Sequence, residues 1–140
     1  MDFPITAAFV GAVLIILQQV LMVSTGRHRA QAKLGVGFGE DQDLERKIRR
    51  HGNLAENAAV FLVVLSLAEV LSGGGMVTTI LGVLFLAARI SHAIAFSSLS
   101  GSHGQENGPQ IFVLCRMAGA LGTAFSGVAL GVYLLVLLSS

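Results

Sequence analysis

RKIRRHGNLAENAAVFLVVL, residues 46–65, decides how this chain folds. Four basic residues crowd into 46–50, Asn53 and Glu56 follow, and an apolar run is under way by Ala58. No proline interrupts the stretch, so one helix can begin polar and finish apolar. Such a helix belongs at a membrane boundary, with its charged end in the interface and its other end in lipid.

The rest of the chain agrees. Of its 140 residues, 54% are hydrophobic and only 12% are charged. The mean hydropathy is +0.76. That excludes a disordered chain and argues against a soluble one. Apolar runs place spans at about 5–23, 44–71 (the first part a polar lead-in to 58–71), 76–97 and 111–138. The SGGG at 72–75 predicts a tight turn, and the Gly/Ser-rich 99–109 a loop. KLGVGFGED, 33–41, is a glycine-rich loop without the preceding strand a nucleotide fingerprint needs. Asp2 is the only charge before the first apolar run, and no cleavage-like site follows, so that run reads as a retained span. The one cysteine, Cys115, lies in an apolar run and reads as a core residue.

Net charge is only +1, but seven of the nine Lys/Arg fall between Arg27 and Arg50. Excess positive charge marks the cytoplasmic side. The connection between spans one and two, 24–45, is therefore expected in the cytoplasm, with both termini outside. The fold class expected is an all-α integral membrane four-helix bundle.

Polar groups inside spans are costly, about 2.5–3.5 kcal/mol for a charge on insertion scales, and usually pair or line a site. Arg49, Asn53 and Glu56 stand at i, i+4 and i+7, a sector about 60° wide on a helix. Beneath a basic loop, at a helix N-terminus, the set points to an anionic ligand. Arg89 and His92 share a face of span three, continued by Phe96. Arg116 begins a stripe of Ala120, Thr123 and Gly127 on span four, small enough for a neighbouring helix to approach. The competing reading of Arg89 and Arg116 is an interhelical clamp with Glu56. Glu69 sits toward the outer interface with no evident role.

R-x-x-x-N-x-x-E (Arg49, Asn53, Glu56), R-x-x-H-x-x-x-F (Arg89, His92, Phe96) and R-x-x-G (Arg116, Gly119) together resemble the MAPEG family, the membrane-associated proteins in eicosanoid and glutathione metabolism. The stretch VGFGEDQDLERKIRRHGNLAEN is most similar to its small bacterial inner-membrane branch. The resemblance implies a homotrimer with glutathione sites between neighbouring subunits on the cytoplasmic side. Arg49 would bind a glutathione carboxylate, and Asn53 and Glu56 the peptide part, with Glu56 facing the ammonium. Arg27 or Arg29, and His51, would approach from the adjacent subunit. His92 would stand near the glutathione. Lipids and a lipophilic small-molecule substrate would be the other partners.

Departures from the family pattern bear on the chemistry. Asn57 and Phe96 stand where family enzymes often carry tyrosine. Residues 97–110 hold no Lys or Arg, and the only tyrosine is Tyr133. Ser97, Ser98, His103 or Arg116 remain as groups to assist a thiol. The resemblance thus implies a glutathione-dependent transferase or peroxidase. A non-catalytic glutathione- or lipid-binding member, and an accessory subunit or small transporter, are the alternatives.

Overall fold

The computed structural model describes residues 3–99 and 108–139, and it is a bundle of four helices. These are α1 (Ile5–Ala32), α2 (Gln42–Ser72), α3 (Met76–Ala95) and α4 (Gln110–Ser139). Each is long and apolar enough to cross a membrane. His103 and most of the loop before α4 lie outside the described residues.

The helices overrun the membrane at one end. With 28 residues, α1 is about 42 Å long, against roughly 30 Å of hydrocarbon. The apolar part fills the expected span, and the helix continues through 24–32 as a polar extension. It stops at Lys33, whose φ of 54° turns the backbone left-handed. Its partner α2 starts at Gln42. The Asp41 carboxylate accepts from the Leu44 amide at 2.9 Å, and Asp43 and Glu45 suit the positive end of the helix dipole. At the opposite end, Gly73, Gly74 and Gly75 all take positive φ, which only glycine does cheaply. That explains the triple glycine of the α2–α3 turn.

The core runs along the middle of the bundle through Val10, Leu14, Leu54, Leu65 and Leu130. Phe61 and Phe85 stack inside it, centroids 3.7 Å apart and 4° from parallel. Close packing of α3 against α4 rests on Gly119 and Gly122. A Cβ on Gly119 would stand 2.8 Å from the His92 amide nitrogen and 2.9 Å from the Ala88 carbonyl oxygen. One on Gly122 would stand 2.9 Å from the Ala88 Cβ. The expected small-residue stripe of Ala120, Thr123 and Gly127 is therefore displaced. The contact face is Gly119, Gly122, Ser126 and Leu130, about a quarter turn away. Thr123 and Gly127 of the sequence stripe instead line a cleft with Glu56 and Phe61.

Glu69 has a structural role. It is 5% exposed, and its carboxylate accepts from the Thr6 and Ala7 amides at 2.8 and 2.9 Å. Pro4, before α1, offers no side-chain cap, so Glu69 caps that helix from another one. This also ties α1 to α2 at the end away from the basic loop.

Candidate functional site

The polar first half of α2 packs beside the ends of α3 and α4, and a cleft of about 350 Å³ opens there. Its walls carry Arg49, Asn53 and Glu56 from α2, His92 and Phe96 from α3, and Arg116 from α4. Three separate sequence motifs thus converge on one concavity. Its size is within the range of small-molecule sites, roughly 300–1,000 Å³.

Each side chain has its own setting. Arg89 is buried behind the cleft, 2% exposed, and donates to Asn53 Oδ1 at 2.7 Å and to Thr123 Oγ1 at 3.2 Å. The expected Glu56–Arg89 and Glu56–Arg116 clamps do not form; among the described residues no ion pair involves Glu56. A neutral amide and a hydroxyl hold the Arg89 charge instead. With its oxygen taken by Arg89, Asn53 is left its NH2 group to donate to a ligand. Arg49 gives its Nε to Glu45 at 3.0 Å and is 67% exposed, so the two Nη groups remain for a carboxylate. Glu56 is exposed at the cleft wall. Arg116 lies over the Phe96 ring, 5.3 Å from its centroid, and His92 stacks on the same ring at 4.8 Å. Buried His92 Nδ1 has no hydrogen-bond partner among the described residues. Two outward arginines, one carboxylate and an amide donor suit a small molecule with two carboxylates and an ammonium.

Arg49, Asn53 and Glu56 do not sit at a helix N-terminus, contrary to the sequence expectation. Arg49 lies two turns inside α2, whose first amides are met by Asp41. The dipole acts within the first turn, so attraction for an anion here comes from side chains alone.

Arg29 and His51, expected from an adjacent subunit, line a second cleft between α1 and α2 with Thr25 and Ile48. Ile48 also borders the motif cleft, so the two share a wall. Arg29 donates to the Gly37 carbonyl at 2.8 Å, and the Gln18 side-chain amide nitrogen lies 2.7 Å from His51 Nε2. Arg27 is not with them; it lines a third cleft, of about 550 Å³, with His28 and Lys47. Ser97 and Ser98 follow the end of α3 but do not line the motif cleft. Among the described residues no hydroxyl side chain does. Among the described residues no three His, Cys, Asp or Glu side chains converge to hold a metal ion.

The profile of the MAPEG family matches residues 7–136. The chain belongs to the MAPEG family. No curated protein was found to match it. Family membership places it among membrane proteins of glutathione-related transfer, peroxidation or binding, and agrees with four spanning helices.

One basic residue of the opening stretch has a role that sequence reading missed. Arg46 is 5% exposed and donates to the Phe96 carbonyl and to Asp43, tying the start of α2 to the end of α3. Asp43 also pairs with Lys47 at 3.0 Å, and Asp41 with His28 at 3.0 Å. Partial burial pushes the Asp43 carboxyl up, but its hydrogen bonds to Arg46 and Lys47 outweigh this and hold it below the usual range. The Leu44 amide, with His28, does the same for Asp41. The i, i+3 and i, i+4 spacing of Asp43 to Arg46 and Lys47 was the available signal.

Proposed function

We propose that this MAPEG protein is a membrane-bound glutathione-dependent transferase or peroxidase acting on lipophilic electrophiles at the cytoplasmic interface of a bacterial inner membrane. The carrying observation is the convergence of Arg49, Asn53, Glu56, His92 and Arg116 on one cleft at the basic end of the bundle. Arg49 takes a glutathione carboxylate through its free Nη pair. Asn53 donates to a peptide carbonyl, and Glu56 meets the ammonium. Arg116 is the cation that favours thiolate over thiol, since no hydroxyl side chain among the described residues lines the cleft. The thiolate attacks the electrophile, forming a C–S bond as the leaving group departs, or attacks the distal oxygen of a hydroperoxide, breaking the O–O bond to give an alcohol and a glutathione sulfenic acid that a second glutathione converts to the disulfide and water. The functional unit is a trimer. In it we take Arg29 and His51 of the adjacent subunit to complete the site, as the family resemblance implies.

Phe96 favours a second reading. An aromatic ring without a hydroxyl, where family enzymes often carry tyrosine, suits a member that binds glutathione without activating it. One experiment separates the two. Purified protein is mixed with glutathione, and melting temperature, thiolate absorbance and turnover of chlorodinitrobenzene or a lipid hydroperoxide are followed. Stabilisation with thiolate and turnover is expected. Stabilisation alone would leave the binder, and no stabilisation would remove both.

A further inference from the structure

The cleft holding Arg27 is larger than the motif cleft, and nothing in the glutathione reading uses it. It lies along α1, with Lys47 of α2 on its rim. Its chemistry is graded along the helix. Val20 and Val23, with Gln19 beside them, form the lower part, and Arg27, Gln31 and Lys47 the upper part. Ile16, Val20, Val23 and Arg27 stand at i, i+4, i+7 and i+11, one face of α1. Since α1 enters lipid near Ile5, about 20 residues cross the hydrocarbon and Ser24–Gln31 falls at headgroup depth. Val20 and Val23 are thus level with the start of an acyl chain, and the cations are level with a phosphate.

The charges nearby leave a net positive field. Asp43 meets Arg46 and Lys47, and Asp41 meets His28, whose other ring nitrogen lies 3.0 Å from Lys47 Nζ. His28 therefore has both nitrogens engaged within the protein. Arg27 is exposed and makes no ion pair among the described residues. Basic pockets at the membrane surface take anionic headgroups, and each cation there is worth about fivefold in affinity.

We infer that this cleft is a binding site for an anionic phospholipid of the leaflet on the side of the 33–41 loop. The acyl chain lies along Val20 and Val23, and the headgroup phosphate is held by Arg27 with support from Lys47. The inference is independent of glutathione binding.

The chain has no tryptophan, which gives a clean assay. Ile16, 66% exposed on the same face and below the cleft, is replaced in Ile16→Trp. The full-length protein is placed in phosphatidylcholine bilayers doped with dibrominated phosphatidylglycerol or dibrominated phosphatidylcholine, and quenching is compared. Fivefold or greater preference for the anionic lipid is expected. Adding Arg27→Gln should bring it close to parity, while Lys33→Gln, outside the cleft, should leave it. No preference in the parent would overturn the proposal. So would equal loss from Arg27→Gln and Lys33→Gln, because that would report the general surface charge. Loss of the glutathione-induced melting shift in Arg27→Gln, with lipid preference intact, would reassign Arg27 to the other site and also refute it.

Discussion

Arg49→Ala separates a ligand-binding arginine from a structural one. In the structure Arg49 is 67% exposed, and its one ion pair is to Glu45, a turn away on the same helix. Exposed pairs of this spacing contribute about 0.3–0.5 kcal/mol, and alanine favours helix, so the unliganded protein should lose no more than about 0.5 kcal/mol. Removing a hydrogen-bonded charge from a ligand carboxylate costs roughly 1.5–3 kcal/mol, which raises Kd about 10- to 150-fold. At glutathione equal to 100 times the wild-type Kd, linkage stabilises the wild type by about 2.7 kcal/mol. The same concentration should stabilise the mutant by only about 0.3–1.4 kcal/mol. Thermal melts of the detergent-solubilised proteins, with and without glutathione, read both quantities. Arg49→Lys should recover part of the shift, because it restores charge without the two-pronged donor. A buried clamp would behave oppositely, losing about 3–5 kcal/mol without ligand. An unstable Arg49→Ala that keeps the full glutathione shift would refute the reasoning.

Three further outcomes follow from the packing. Gly119→Ala places a methyl against the backbone of α3 and should cost about 1–3 kcal/mol and loosen the cleft wall at His92, measured as a lower melting temperature with weaker glutathione binding. Glu69→Ala removes the cap of α1 and should cost about 1–3 kcal/mol while leaving the glutathione shift unchanged, since it acts at the other end of the bundle. Asp43→Asn tests the junction of α1, α2 and α3. Because the folded Asp43 pKa lies below the ordinary 3.8, its contribution is fully present above about pH 3.8 and is lost as pH falls through the folded value. The mutant should therefore melt lower than wild type at neutral pH, and the gap should close in acid.

Hydropathy located all four helices, because a bilayer demands long apolar runs and little else competes with that signal. It could not locate their polar ends. Residues 24–32 of α1 are helical above the hydrocarbon, where hydropathy carries no information. The grouping of Arg49, Asn53 and Glu56 was legible because one helix fixes their spacing. Their meeting with His92 and Arg116 depends on how α3 and α4 pack, and only the family resemblance hinted at it. Pairing was the least legible. Arg89 bonds Asn53 and Thr123 rather than a carboxylate. Glu69 bonds backbone amides of a distant helix, and amides leave no mark in a sequence. Arg46 and Arg49 look alike in the string, yet the first is buried and the second open, because Arg46 meets the end of α3 at the Phe96 carbonyl while Arg49, a turn further on, borders the open cleft.

The account's central claim is that the motif cleft recognises glutathione through opposite charges placed on its two ends. The direct measurement is a calorimetric titration of wild type and Glu56→Gln with glutathione and with its deaminated analogue. Glu56 makes no ion pair among the described residues, so the substitution leaves the fold intact and alters only what the ligand meets. The account predicts that wild type binds glutathione more tightly than the analogue and that Glu56→Gln loses this preference, a coupling between residue and ammonium. Failure of wild type to bind glutathione at millimolar concentration, or an unchanged preference in Glu56→Gln, would contradict it.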